Sequence, residues 1–325
     1  MKTERFPIWE ADEYSYPGAF GFVPHLTTYL HGEDAGERPC MLVVPGGGYC
    51  YVSPREGELI ARKFYGFGFN AFVLTYTVNA LMNCPLEKQP MKDLARAVRL
   101  IRKRAAEFRI RKDKVVICGF SAGGHLCASL CVHWKELQDE RFGGESARPD
   151  AAILSYPVIT SGPFAHRGSI ECLAGKDADA ETLEYWSLEK QVTEDTPPCF
   201  LWHTATDGSV PVENSEMFAA ALRAHDVPYA MHVFSAGHHG LSLADEDWAA
   251  GRFCDPYTLE QIERAAEAVK SGKAEASVEV RKMLGISDDE PPAERPAEEP
   301  VPEVTVWPEL ALGWMRKQGI AGAQA

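Results

Sequence analysis

The 325-residue sequence contains no apolar run of membrane-spanning length, which would need about 20 consecutive apolar residues. It also lacks an excess of positive charge: 33 Lys and Arg stand against 47 Asp and Glu, for a formal net charge of −14. Nucleic acids and anionic membrane surfaces both reward basic patches, so neither is an expected partner. The opening residues, Met1 to Glu10, include no apolar stretch of the kind that marks a secretory signal, and none is expected. No Gly-Lys-Ser/Thr follows a glycine loop and no G-x-G-x-x-G opens a helix, which excludes the common nucleotide-binding loops. Nine cysteines, an odd number scattered through apolar runs, do not make a disulfide framework. They read as reduced core thiols, and the expected location is cytoplasmic.

What is present is the composition of a globular protein, 45% hydrophobic and 25% charged, long enough for one large α/β domain or two ordinary ones. Strand candidates recur at His25–Leu30, Cys40–Val44, Phe69–Tyr76, Val115–Cys118, Ala151–Tyr156, Cys199–Thr204 and Tyr229–Phe234. Helical patterns fall between them at Glu56–Phe64, Met91–Phe108 and Ser215–Ala224. Unbroken apolar strands alternating with helices predict an α/β fold with a mostly parallel, doubly wound sheet covered on both faces. In the second helix Leu94, Val98 and Ile101 form the apolar stripe, and Arg96, Arg99, Arg102 and Lys103 are expected on a solvated outer face.

The segment from 162 to 190 is too long for a simple turn and is read as one or two short helices forming a small lid. Residues 1–253 are the expected core, 254–302 a helical and acidic insertion, and 303–325 a terminal helix that packs back on the core. Thr258-Leu-Glu-Gln261 has the form of a capping box opening an amphipathic helix through Val269. Asp288 to Glu303 then carries seven acidic residues, five prolines and one arginine, a composition that buries too little apolar surface to order itself. Pro308 suits a first helical turn, with Trp307, Leu310, Ala311 and Trp314 on one face.

Reactive chemistry is concentrated in Gly119-Phe120-Ser121-Ala122-Gly123, which follows the Val115–Cys118 strand and precedes a helical pattern. A strand, a sharp turn bearing Ser and a helix make the context of a nucleophile elbow. A serine hydroxyl needs a base, and the base needs an orienting carboxylate. Asp207 follows one apolar strand; His238 and His239 follow the next, and spacing alone does not separate these two histidines. Both positions lie at C-terminal strand ends, where open α/β sheets place their sites. His203 and His232 lie within strands and read as packed, hydrogen-bonded histidines, and Asp195 as a surface cap. His125, Cys127, Cys131 and His133 resemble a metal set but sit on the helix after the serine, where core packing is expected. No metal and no organic cofactor is expected. The turn Gly46-Gly47-Gly48-Tyr49 offers unobstructed amides, which with the Ala122 N–H would form an oxyanion hole.

Pro45-Gly-Gly-Gly-Tyr49, Gly119-Phe-Ser-Ala-Gly-Gly-His125, the run Trp202 to Ser215 containing Asp207, and Gly237-His-His-Gly-Leu-Ser-Leu-Ala244 occur in this order. Together they resemble the bacterial acetyl-esterase-like α/β-hydrolases, related to the BD-FAE and hormone-sensitive-lipase-like esterases. The resemblance covers roughly residues 20 to 250 and the final helix. It implies Ser121, Asp207 and His239 as the catalytic residues, because the family's histidine immediately precedes Gly-Leu-Ser-Leu-Ala. It matches Gly47 and Gly48 to the family's oxyanion glycines. Pro45 stands where lipase-like relatives carry His, and the resemblance says nothing of the stretch from about 254 to 302.

The expected function is that of a serine carboxylester hydrolase removing small acyl groups, acetyl from carbohydrate esters above all. A peptidase of the prolyl-oligopeptidase type shares the constellation but is usually joined to a propeller, and no repeat of about 40 to 50 residues is present. A third reading is a non-catalytic binding protein on a hydrolase fold. The partner is a small acyl ester; Tyr49 and Trp186, with Tyr51 and the lid, are expected to shape its pocket. Self-association into a homo-oligomer is compatible with the sequence.

Overall fold

The computed structural model describes residues 1–10, 12–32, 36–286 and 298–322. Its centre is an eight-stranded sheet in the order β1-β2-β4-β3-β5-β6-β7-β8. The strands are β1 (Arg5–Pro7), β2 (His25–Tyr29), β3 (Arg38–Val44), β4 (Asn70–Thr75), β5 (Ile110–Phe120), β6 (Ala151–Ser155), β7 (Cys199–Thr204) and β8 (Tyr229–Phe234). Strands β3 to β8 pair in parallel, while β1 and β2 add an antiparallel edge. All seven predicted strands are present. The eighth, β1, has three residues and pairs only with β2, too short to leave an alternation in the sequence.

Side chains alternate across each strand, so the two faces of the sheet feed two cores. Leu42, Val44, Val115, Ile117, Leu154 and Leu201 face one way, toward α2 (Gln89–Lys103), α4 (Ala122–His133) and α7 (Glu213–Ala224). Met41, Val43, Val116, Cys118, Phe200 and Trp202 face the other, toward α1 (Glu58–Gly66) and α11 (Trp307–Lys317). The second predicted helix stops at Arg104, and the short α3 (Ala105–Phe108) follows. The segment expected to be a lid contains α5 (Arg167–Ala174) and α6 (Ala180–Tyr185). Between β8 and α11 lie α8 (Glu246–Ala249), α9 (Glu260–Lys270) and α10 (Val278–Met283). Among the described residues no helix is long and apolar enough to cross a membrane.

Several expectations are corrected. Arg96, Arg99 and Arg102 are buried, not solvated. Arg102 donates to the carbonyls of Lys112, Ser146 and Arg148 and to Asp150; Arg99 donates to the carbonyls of Leu137 and Glu145; Arg96 donates to Ile8 O and Glu13. Charged side chains are buried only when paired, and here carbonyls of the N-terminal arm and of the chain around 137–150 supply the partners. The capping box does not form. Helix α9 starts with no side-chain cap, because Gln261 reaches away to Val78 N, Val78 O and Gly18 O. On α11, Trp307, Ala311 and Trp314 are buried, but Leu310 is exposed. Trp307 stacks on Trp202 with ring centroids 5.3 Å apart.

Most of the acidic, proline-rich stretch Asp288–Glu303 lies outside the described residues. Its last part is tied to the core: Glu298 meets Arg55 and His238, and Glu303 accepts from Ser235 N and Oγ.

Candidate active site

Strand β5 ends at Phe120, and the chain turns into α4 through Ser121, which has φ 52° and ψ −118°. A side chain at such a φ is strained, and strain of this kind persists only where packing over-determines it. The flanking glycines supply that packing. A Cβ on Gly119 would lie 2.2 Å from Gly123 O, and one on Gly123 would lie 2.2 Å from Val44 O. Only glycine allows strand, turn and helix to close this tightly.

The turn brings Ser121 to the other two residues singled out at strand ends. Ser121 Oγ lies 2.7 Å from His239 Nε2, and His239 Nδ1 lies 2.6 Å from Asp207 Oδ2. Asp207 is held in turn by the amides of Ser209 and Val210, each 2.9 Å from Oδ1. Burial alone would raise its pKa, but His203, His239 and the Val210 amide outweigh burial and hold the carboxyl well below the usual range. His238 points elsewhere: it is exposed and meets Glu298. His203 is fully buried and bonded to Ser215 Oγ and Val210 O.

The glycine turn after β3 packs against the nucleophile. A Cβ on Gly46 would lie 2.9 Å from Ser121 Cβ, and one on Gly47 would lie 2.1 Å from Tyr51 O. Gly47 and Gly48 have φ of 120° and 63°, and both line a cleft of about 640 Å³ with Ser121 and His239. Ala122 is the first residue of α4, where helix geometry leaves the amide without an internal acceptor. The amides of Gly47, Gly48 and Ala122 have no protein acceptor among the described residues.

Two predicted pocket residues are misplaced. Tyr49 is 1% exposed, with its hydroxyl 2.9 Å from His125 Nδ1. Its φ of 62° swings the ring from the cleft into the core. Trp186 is 4% exposed and packs on His125 and Tyr185. The cleft is instead walled by Tyr51, Arg55, His166 and Ser209, with Leu259 and Met283 from the segment after residue 254. The candidate metal set is core: Cys127 and Cys131 are fully buried, and His125 is engaged by Tyr49, Ser129 and Trp186 O.

Sequence reading also missed Glu56. It is 4% exposed, yet it lines the cleft floor, accepting from Gly46 N at 2.8 Å and from Tyr156 Oη at 2.6 Å. Burial raises its pKa, against hydrogen bonds from Tyr156 and Gly46 that lower it. Tyr156 packs edge-on against His239 with centroids 5.0 Å apart. The only sequence signal for Glu56 was an acidic residue at the start of an apolar helix, nine positions after Gly47.

A family model described as BD-FAE matches residues 26–222. The chain belongs to the BD-FAE family. Among the similar curated proteins is the endo-1,4-beta-xylanase B of Butyrivibrio fibrisolvens, 49% identical over 271 residues, which cover 83% of this chain and 42% of that protein. The acetylxylan esterase of Xylanibacter ruminicola is 28% identical over 208 residues, 62% of this chain and 40% of that one. This BD-FAE chain thus spans about two fifths of the length of these curated relatives. Among solved structures, an acetyl ester-xyloside bifunctional hydrolase from Caldicellulosiruptor lactoaceticus matches with a TM-score of 0.69 and 36% identity, over 83% of this chain and 96% of that one. The sheet and helices of the BD-FAE chain are those of an α/β-hydrolase fold.

Proposed function

We propose that this chain is a serine carboxylester hydrolase that removes small acyl groups, acetyl above all, from carbohydrate esters. The observation that carries the reading is the hydrogen-bonded row from Asp207 through His239 to Ser121, opening on the cleft. Ser121 Oγ attacks the ester carbonyl while His239 Nε2 takes its proton. Asp207 holds the imidazole with Nδ1 protonated and stabilises the imidazolium. The amides of Gly47, Gly48 and Ala122 receive the oxyanion of the tetrahedral intermediate. His239 returns the proton to the leaving alcohol, and water then resolves the acyl-enzyme by the same route in reverse.

The sugar part of the proposal is supported by the names of three relatives: two pair acetyl esters with xylan or xylosides, and one names xylan alone. Two of those names also denote glycoside cleavage. That chemistry needs two carboxyl groups flanking an open bond, about 5 to 10 Å apart. Among the described residues of the cleft, Glu56 is closed off by Gly46 and Tyr156 and Asp207 by His239, Ser209 and Val210. Neither is free to meet a sugar ring, so the ester reading is favoured.

In this reading residues 1–253 form the reacting core, Leu259 and Met283 of the 254–302 segment add a wall to the cleft, and helix α11 of the 303–325 segment closes the back of the sheet. The nine cysteines are all free thiols, which suits the cytoplasm. Hydrolysis of p-nitrophenyl acetate by the wild type and by Ser121→Ala tests the assignment. Loss of a reacting-row member is expected to cost about 10⁴ to 10⁶ in kcat; equal rates would remove Ser121 from the mechanism.

A further inference from the structure

His166 stands at the N-terminus of helix α5, on the wall of the cleft that holds Ser121 and His239. Its ring is oriented by Ser169, whose amide N lies 3.3 Å and Oγ 2.8 Å from Nδ1. An amide N–H can only donate, so Nδ1 is the acceptor and the proton of the neutral imidazole sits on Nε2. Burial and the facing His239 favour that neutral form, while Asp207 opposes them. Nε2 has no protein partner among the described residues and is not sealed from solvent. The cleft therefore contains an oriented N–H donor that the proposed chemical steps do not use.

A small acetyl ester limits where such a donor can go. Its acyl part is a methyl group, and its carbonyl oxygen is already met by the amides of Gly47, Gly48 and Ala122. The remaining hydrogen-bonding oxygens belong to the alcohol. We infer that His166 is a specificity-determining residue, its Nε2–H donating to a hydroxyl oxygen on the sugar side of the scissile ester. The inference rests on the ester-hydrolase reading above. It adds that this site favours alcohols bearing a further hydroxyl close to the ester over alcohols that bear none.

His166→Asn is the informative variant. Asn is a preferred N-cap and keeps an acceptor for the Ser169 amide, but its short side chain withdraws the donor from the cleft. The measurement is kcat/KM on an acetylated xylo-oligosaccharide divided by kcat/KM on phenyl acetate, whose alcohol has no second oxygen. In His166→Asn this ratio is expected to fall about 10-fold, mostly through KM on the sugar ester, as for one lost hydrogen bond. An unchanged ratio overturns the inference, whether both rates persist or both fall together; a joint fall would assign His166 to the carbonyl or to the integrity of α5. A thermal melt of the variant close to that of the wild type separates these from misfolding. Inactivity of the wild type on both esters would instead remove the ester-hydrolase reading itself.

Discussion

Tyr156 donates its hydroxyl proton to Glu56 Oε1 across 2.6 Å, and the same tyrosine ring packs edge-on against His239. The pair links the two halves of the proposed machinery. Glu56 Oε2 holds Gly46 N at the start of the glycine turn, and Tyr156 Oη accepts from Ser242 N just beyond His239.

Removing the hydroxyl strands both neighbours. In Tyr156→Phe the ring contact with His239 remains, but a buried carboxylate oxygen and the Ser242 amide each lose a partner. A stability loss of about 2 to 6 kcal/mol is expected, since each of the two unsatisfied buried groups costs about 1 to 3 kcal/mol. Glu56→Gln places an amide against one of two donors and should destabilise by a similar amount. Because the two residues share one bond, a double-mutant cycle by urea denaturation should show the losses falling short of additive; strict additivity would mean that the bond contributes nothing.

The amides of Ser209 and Val210 decide what Asp207→Asn does. They hold the oxygen at the Oδ1 position, so the new NH₂ group must face His239 Nδ1. The imidazole is then forced to carry its proton on Nε2 and can no longer take one from Ser121. A fall in kcat of about 10⁴ is expected with little change in fold, by analogy with the same substitution in serine proteases. Activity within about tenfold of wild type would show that His239 does not depend on Asp207 for its tautomer.

Tyr49→Phe separates packing from binding. The Tyr49 hydroxyl meets His125 Nδ1 inside the core, where burial also pushes the His125 pKa down to about 4. Loss of this neutral bond should cost about 1 kcal/mol of stability and leave KM for p-nitrophenyl acetate where it was. A raised KM with unchanged stability would return Tyr49 to the pocket.

The strands and the positions of Ser121 and Asp207 were legible because each is a local signal: an apolar run, a glycine-flanked turn, a polar residue just past a strand end; the choice of His239 over His238 rests on the family resemblance and not on spacing. What was not legible depends on distant chain. The arginines of α2 are periodic in a way that reads as a solvated face, and their burial is made tolerable by acceptors distant in sequence, Ile8 O and Glu13 for Arg96 and the carbonyls from Leu137 to Arg148 for Arg99 and Arg102. Gln261 fits a capping box by spacing but is drawn 183 residues back to Val78. Leu259 and Met283 reach the cleft from a segment on which the family resemblance says nothing. Tyr49 was placed in the pocket by its nearness to the glycine turn, which says nothing of a backbone that rotates the ring inward.

Asp93 makes the fold's own dependence on pH measurable. It is fully buried on α2 and accepts from Trp9 Nε1, Gln89 Nε2, Thr77 N and Thr77 Oγ1. Burial raises its pKa to about 6, with the bonds from Thr77, Gln89 and Trp9 acting the other way. In the unfolded chain the group titrates near 3.9. The folded state therefore binds the proton more tightly, and the sign follows: between about pH 4 and pH 6 the native state holds more protons than the unfolded one, so stability falls as pH rises through that window. The full change is of the order of 3 kcal/mol, from about two pKa units at 1.36 kcal/mol each. Asp93→Asn cannot titrate, so urea unfolding at pH 4 and pH 7 should show wild type losing about that much more stability than the variant over the interval. An identical pH dependence in the two proteins would mean that the four donors, and not burial, set the ionisation of Asp93.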